Sequence, residues 1–294
     1  MTIALPKSQS KMVARGSTAA RTDARGMSWL GEQVGRVTHN MIWRTRFLST
    51  WARRMLGLTE ARKFNSAQVA EGMTFVLPGI ESESIFTYGI CDGLVSGGLR
   101  GAVRVFNWGL PFPGGYLGNL TRLDRNRRRG ADLAREIIEY QDRFPGRPVH
   151  VVAHSGGCGV ALFAVEALPE DRAVDSVVLL AAAISPTYDL RRALSRVRRG
   201  VLNSHSGRDW FILGLGTRFF GTTDRQFCDA AGLKGFAKPE NMDAAGHKLY
   251  DEKLTQISWC EDLVAYNHWG GHITSASEEY LENRITPWIN NRES

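Results

Sequence analysis

Residues 146–168 read GRPVHVVAHSGGCGVALFAVEAL, and this stretch decides the fold. Val149, Val151 and Val152 form a short apolar, β-branched run that predicts a buried strand. The run stops at Ala153-His154-Ser155-Gly156-Gly157, after which Val160, Ala161, Phe163, Ala164 and Leu168 recur at helical spacing. Strand, tight turn and helix therefore meet on Ser155. So sharp a turn strains the serine backbone and exposes its hydroxyl, so the residues two before and two after it must be small. Ala153 and Gly157 meet that condition.

A serine presented in this way forms a nucleophile elbow. On these residues the chain resembles the α/β-hydrolase family, specifically its small lipase-like and esterase-like members. Ala153 stands where the family pattern G-x-S-x-G has its first glycine. The resemblance covers roughly residues 72–290 and implies an α/β fold, with a mostly parallel central sheet and helices on both faces. Apolar runs near residues 74, 102, 149, 176, 201 and 255 supply about six strands, so two early strands of the full family sheet are absent.

The resemblance also implies partners for Ser155. Thr74 to Glu81 (TFVLPGIE) reads as a central strand ending in the turn Pro78-Gly79-Ile80. In the family such a turn donates one oxyanion N–H, here that of Ile80, and the residue after the nucleophile, Gly156, donates the other. The family carboxylate falls on Asp209, past a strand that begins at Val201 and ahead of its rivals Asp224 and Asp189. The base lies between the last strand, Leu254 to Trp259, and the last helix. His272 directly precedes that helix and is taken as the base, with His268 in reserve. Ser275 and Glu278 are expected to cap the helix as a capping box. Ser155, Asp209 and His272 then follow the chain order of serine, acid and histidine that this fold uses. His154 is next to the serine, but the turn points the two side chains apart. His150 alternates within a strand and reads as a core residue, while His205 lies near the carboxylate loop.

The expected chemistry is that of a serine hydrolase cleaving a carboxylic ester through an acyl-enzyme, with no metal or organic cofactor. An acyltransferase or thioesterase with the same triad stays open, as does a non-catalytic protein of this fold that binds a membrane or an acidic partner. Two segments suggest a lipid-like ester. One is the Gly-, Pro- and aromatic-rich loop 108–120, and the other is the apolar start of the long connection 210–250, which reads as a lid or a decorated crossover.

Charge is distributed unevenly over the 294 residues. Residues 1–63 hold 12 of the 37 Lys and Arg and 3 of the 30 Asp and Glu, a net charge of +9 that leaves −2 for the rest. Residues 1–26 read as a disordered basic tail, with an Arg-rich transit segment as the alternative. Residues 27–65 read as a basic amphipathic helical extension, with Met27, Leu30, Val34, Val37, Met41, Leu48, Trp51 and Met55 on one stripe. That stripe either docks on the domain spanning 70–294 or gives residues 27–57 a peripheral membrane contact. The helix 123–143 opens on Arg125, Arg127, Arg128 and Arg129, which read as a solvated face. Four dispersed cysteines without a C-x-x-C pair indicate neither zinc nor disulfides, and no apolar run reaches 18 residues. A cytoplasmic protein is expected, and no nucleic-acid reading module is recognisable.

Overall fold

The computed structural model describes residues 65–109, 119 and 121–291. The tail 1–26, the extension 27–65 except its last residue, and most of the loop 108–120 lie outside the described residues.

Six strands form one sheet: β1 (Met73–Leu77), β2 (Ala102–Val105), β3 (Val149–His154), β4 (Val174–Leu180), β5 (Val197–His205) and β6 (Leu254–Ser258). Their order is β2-β1-β3-β4-β5-β6, and every neighbouring pair is parallel. β1, β3 and β4 are buried along their whole length, as expected of strands covered on both faces. The order reverses between β1 and β3, so a crevice opens at their carboxyl ends. Register pairs Leu77 with Ala153 across that switch point, which brings the turn after β1 beside the turn after β3.

Alternation along the strands divides the core. Phe75, Leu77, Val149, Val151, Ala153, Val177 and Leu179 belong to one cluster with α2 (Leu123–Arg143) and α3 (Gly157–Glu166). α2 meets α3 closely because Gly130 has no side chain: a Cβ there would lie 2.9 Å from the Ala164 backbone nitrogen. α4 (Arg191–Ser195) and α5 (Ala244–Lys253) continue this layer. The intervening strand residues Val76, Val152, Val178 and Leu202 are buried as well. The second layer consists of α1 (Ile85–Ser96) and the C-terminal helical segment 278–291, in contact at Gly93 and Leu281.

Three local readings are corrected. β5 starts at Val197 rather than Val201. The first residues of β5 pair only with β4, since pairing to β6 begins at Val201; Arg198 is exposed there and Arg199 half-buried, both beside Asp175, and the two arginines obscure the strand pattern. The C-terminal cap is Ser277, whose hydroxyl accepts from the Tyr280 N–H; Ser275 instead bonds the His272 carbonyl. The arginines opening α2 are also more than a solvated face. Arg125 donates to the Trp108 carbonyl at 2.6 Å and Arg129 to the Asn107 carbonyl at 3.1 Å, fastening the chain that leaves β2.

Candidate active site

Ser155 occupies the turn between β3 and α3 with φ of +54°, in the left-handed region that a residue with a side chain rarely adopts. The strain is held by backbone bonds: Ser155 N–H donates to the Leu180 carbonyl, and the Ser155 carbonyl accepts from Ala183 and Cys158. Small neighbours are required for a visible reason. A Cβ on Gly157 would stand 2.4 Å from the Pro78 carbonyl oxygen and 3.0 Å from that of Leu77.

The Ser155 hydroxyl lies 2.8 Å from His272 Nε2, and His272 Nδ1 lies 2.7 Å from Asp209 Oδ2. The loop after β5 presents Asp209, whose N–H bonds the Ser206 carbonyl, while Ser206 N–H bonds Gly232. Asp209 is 4% exposed, so its carboxylate meets the imidazole away from bulk water. A carboxylate at Nδ1 selects the tautomer that leaves Nε2 free to accept the serine proton.

The turn after β1 completes the site. A Cβ placed on Gly156 would come within 2.6 Å of Ile80 Cγ2, so these two residues are in direct contact. Trp108 Nε1 donates to the Pro78 carbonyl at 2.7 Å and Asn119 Nδ2 to the Ile80 carbonyl at 2.8 Å. Both bonds hold the turn from its own carbonyls. Gly156 stands at the N-terminus of α3, where backbone N–H groups have no intrahelical partner.

The remaining candidates fall elsewhere. His268 is buried against the Tyr280 ring, 4.7 Å between centroids, with Nδ1 toward Thr274, and burial lowers its pKa to about 4. Asp224 is engaged with Ser185 and Thr222, and Asp189 with Arg191. His150 meets the Ser176 hydroxyl at 2.6 Å inside the sheet. His205 turns to the Leu233 backbone. Two groups near His272 were not placed there by the sequence reading: His154, set aside as the base, with ring centroids 5.0 Å apart, and Glu81. Only their places at the ends of β3 and β1 point to them. Among the described residues, no group of three or more His, Cys, Asp or Glu converges where it could hold a metal ion.

The sequence profile of the Alpha/beta hydrolase family matches residues 83–281, and the chain belongs to that family. No curated protein matches it. Similar solved structures include the esterase domain of a Rhodothermus marinus protein, at 15% identity, 78% of this chain, 89% of that one and a TM-score of 0.42. Esterase PE8 is similar at 13% identity, 79% and 98% coverage and a TM-score of 0.46. Est1E from Butyrivibrio proteoclasticus is similar at 10% identity, 79% and 92% coverage and a TM-score of 0.46. No described helix is long and apolar enough to cross a membrane.

Proposed function

We propose that the protein is a serine hydrolase that cleaves a carboxylic ester with an apolar acyl group, through Ser155, His272 and Asp209. The observation that carries this reading is the hydrogen-bonded relay from Asp209 through His272 to Ser155. Ser155 Oγ attacks the ester carbonyl while its proton passes to His272 Nε2. His272 then returns the proton to the departing alcohol, leaving an acyl-enzyme that water hydrolyses by the same two steps. Asp209 holds the imidazole and balances its positive charge in the transition state. The N–H groups of Gly156 and Ile80 receive the oxyanion, where losing one donor costs about 3–4 kcal/mol of barrier stabilisation.

Exposed apolar side chains support the acyl preference. Trp210, Phe211, Ile212, Phe219, Phe220, Phe227 and Ile273 are the large apolar side chains left exposed among the described residues. Trp210 directly follows Asp209 and Ile273 directly follows His272. All but Ile273 fall within residues 210–227, the connection that follows Asp209, and large apolar exposure in one segment marks contact with an apolar partner. The test is covalent labelling by a fluorophosphonate probe, followed by a series of p-nitrophenyl esters of increasing acyl length. Labelling of the wild type and not of Ser155→Ala supports the reading; a folded wild type that neither labels nor turns over any ester refutes it.

A further inference from the structure

His154 takes no part in the steps above, yet it joins the nucleophile to the base. It ends β3 immediately before Ser155 and is 2% exposed. Its Nε2 lies 3.1 Å from the backbone oxygen of His272, 118 residues away in the chain. A carbonyl oxygen only accepts, so Nε2 carries the proton and donates it to this bond. In the other tautomer an Nε2 lone pair would face the carbonyl oxygen, two acceptors opposed in a buried space. That tautomer would also gain nothing at Nδ1, which has no hydrogen-bond partner among the described residues; Glu81 Oε1, at 4.0 Å, stands beyond hydrogen-bond reach. A neutral ring agrees with its burial: desolvation lowers the His154 pKa to about 3, and the charge of His272 acts in the same direction.

The place of His272 explains why such a bond matters. Gly270 and Gly271 directly precede the base, Gly270 with φ of +84°, so the chain arrives through two residues of wide conformational freedom. Other bonds of this loop are local. Trp259 Nε1 donates to the His268 carbonyl, Thr274 Oγ1 to the Gly271 carbonyl and Ser275 Oγ to the His272 carbonyl itself. Each joins residues that follow β6 and moves with them. The His154 bond instead ties the backbone of the base to the strand that delivers Ser155. The two rings also stand side by side, with planes tilted by 48°. The 2.8 Å contact between Ser155 Oγ and His272 Nε2 is thus set at two points, by Asp209 on the imidazole and by His154 on the backbone.

We propose that His154 is a positioning residue for the base: its Nε2–H holds the His272 backbone in a fixed place relative to Ser155, so that the imidazole meets the hydroxyl already aligned. This inference rests on the hydrolase reading above. Misplacement of a reacting group by 1 Å can cost about 10²-fold in rate, so one lost anchor should be visible in kcat. The role also makes a chemical demand on position 154 that packing alone does not. Glutamine meets it, because its amide nitrogen is as many bonds from Cβ as the imidazole Nε2 and donates a hydrogen bond. Phenylalanine fills the volume of the ring but offers no donor, and alanine offers neither.

The experiment compares the full-length wild type with His154→Gln, His154→Phe and His154→Ala. Fluorophosphonate labelling rates, and kcat and KM on a p-nitrophenyl ester, are read beside melting curves for each variant. His154→Gln keeps kcat within about threefold of wild type. His154→Phe and His154→Ala lose roughly tenfold in kcat and in labelling rate with KM within about threefold, because the base shifts while the substrate contacts stay. The phenylalanine and alanine variants differ in volume, so if one fails to fold the other carries the comparison. A role in packing alone gives the reverse order, with His154→Phe active and His154→Gln impaired, and overturns the proposal. It is also overturned if His154→Phe and His154→Ala keep wild-type kcat, if His154→Gln is as impaired as they are, or if the loss falls on KM. A wild type that neither labels nor turns over overturns the hydrolase reading itself, and this inference with it.

Discussion

Asp209 and His272 are 63 residues apart in the chain, yet the Asp209 carboxylate meets the imidazole Nδ1 at 2.7 Å in a nearly dry contact. An asparagine at 209 would keep the shape but could offer an N–H to Nδ1, favouring the tautomer in which Nε2 already holds a proton and cannot accept another. Asp209→Asn should therefore lower kcat by about 10³–10⁴-fold with little change in KM. Steady-state kinetics beside an unchanged circular dichroism spectrum would check it; a loss below about tenfold would remove Asp209 from the mechanism.

The approach of β1 to the elbow leaves no room for a side chain at Gly157. The obstructing atoms are backbone carbonyl oxygens of Pro78 and Leu77, which cannot rotate aside. Gly157→Ala should cost about 1–3 kcal/mol of stability and push the Pro78-Gly79-Ile80 turn out of place, lowering kcat as well. Gly207→Ala is the control, because nothing lies within 4 Å of a Cβ there, and its effect should stay within about 0.5 kcal/mol. Denaturant unfolding of the two variants gives the comparison.

The elbow was legible from sequence because one local pattern carries strand, turn and helix within residues 146–168. His272 and Asp209 were legible only through chain order and the family resemblance; the place of His272 directly before the last helix set it ahead of His268, and tertiary packing separates the two by burying His268 against Tyr280. Glu81 was invisible for a related reason. Its partners are a strand end 73 positions later and backbone groups of its own turn, and neither leaves a periodic trace. The start of β5 was missed because an edge overhang suspends the alternation that betrays a strand.

Acid should destabilise the fold through its buried histidines. His268 has a folded pKa of about 4, lowered by burial, whereas the unfolded chain titrates near about 6.5. Between those values the unfolded state binds the extra proton, so the stability linked to His268 is complete above about pH 6.5 and is lost as pH falls toward 4. The upper limit of the slope is about 1.36 kcal/mol per pH unit. His154 acts in the same direction, while Glu81 and Glu166, both raised by burial, act oppositely. The diagnostic is therefore a difference: His268→Gln should lose less stability than wild type between pH 6.5 and pH 4 in urea titrations. Parallel curves would show that His268 takes up its proton equally in the folded and unfolded protein.

The exposed aromatic side chains of residues 210–227 should discriminate by acyl length. Phe219 and Phe227 are 71% and 61% exposed, so removing their rings sacrifices little folded contact, and the double variant Phe219→Ser, Phe227→Ser should melt within about 0.5 kcal/mol of wild type. A long acyl chain lying against these rings would bury CH₂ groups worth about 0.8 kcal/mol each, a gain that an acetyl group cannot make. The variant should thus lose about tenfold in kcat/KM on a long-chain p-nitrophenyl ester and keep its activity on the acetate. Equal losses on the two esters would mean that the substitutions disturb the relay rather than the acyl contact. Unchanged kinetics on both would show that the acyl group leaves the site by another route.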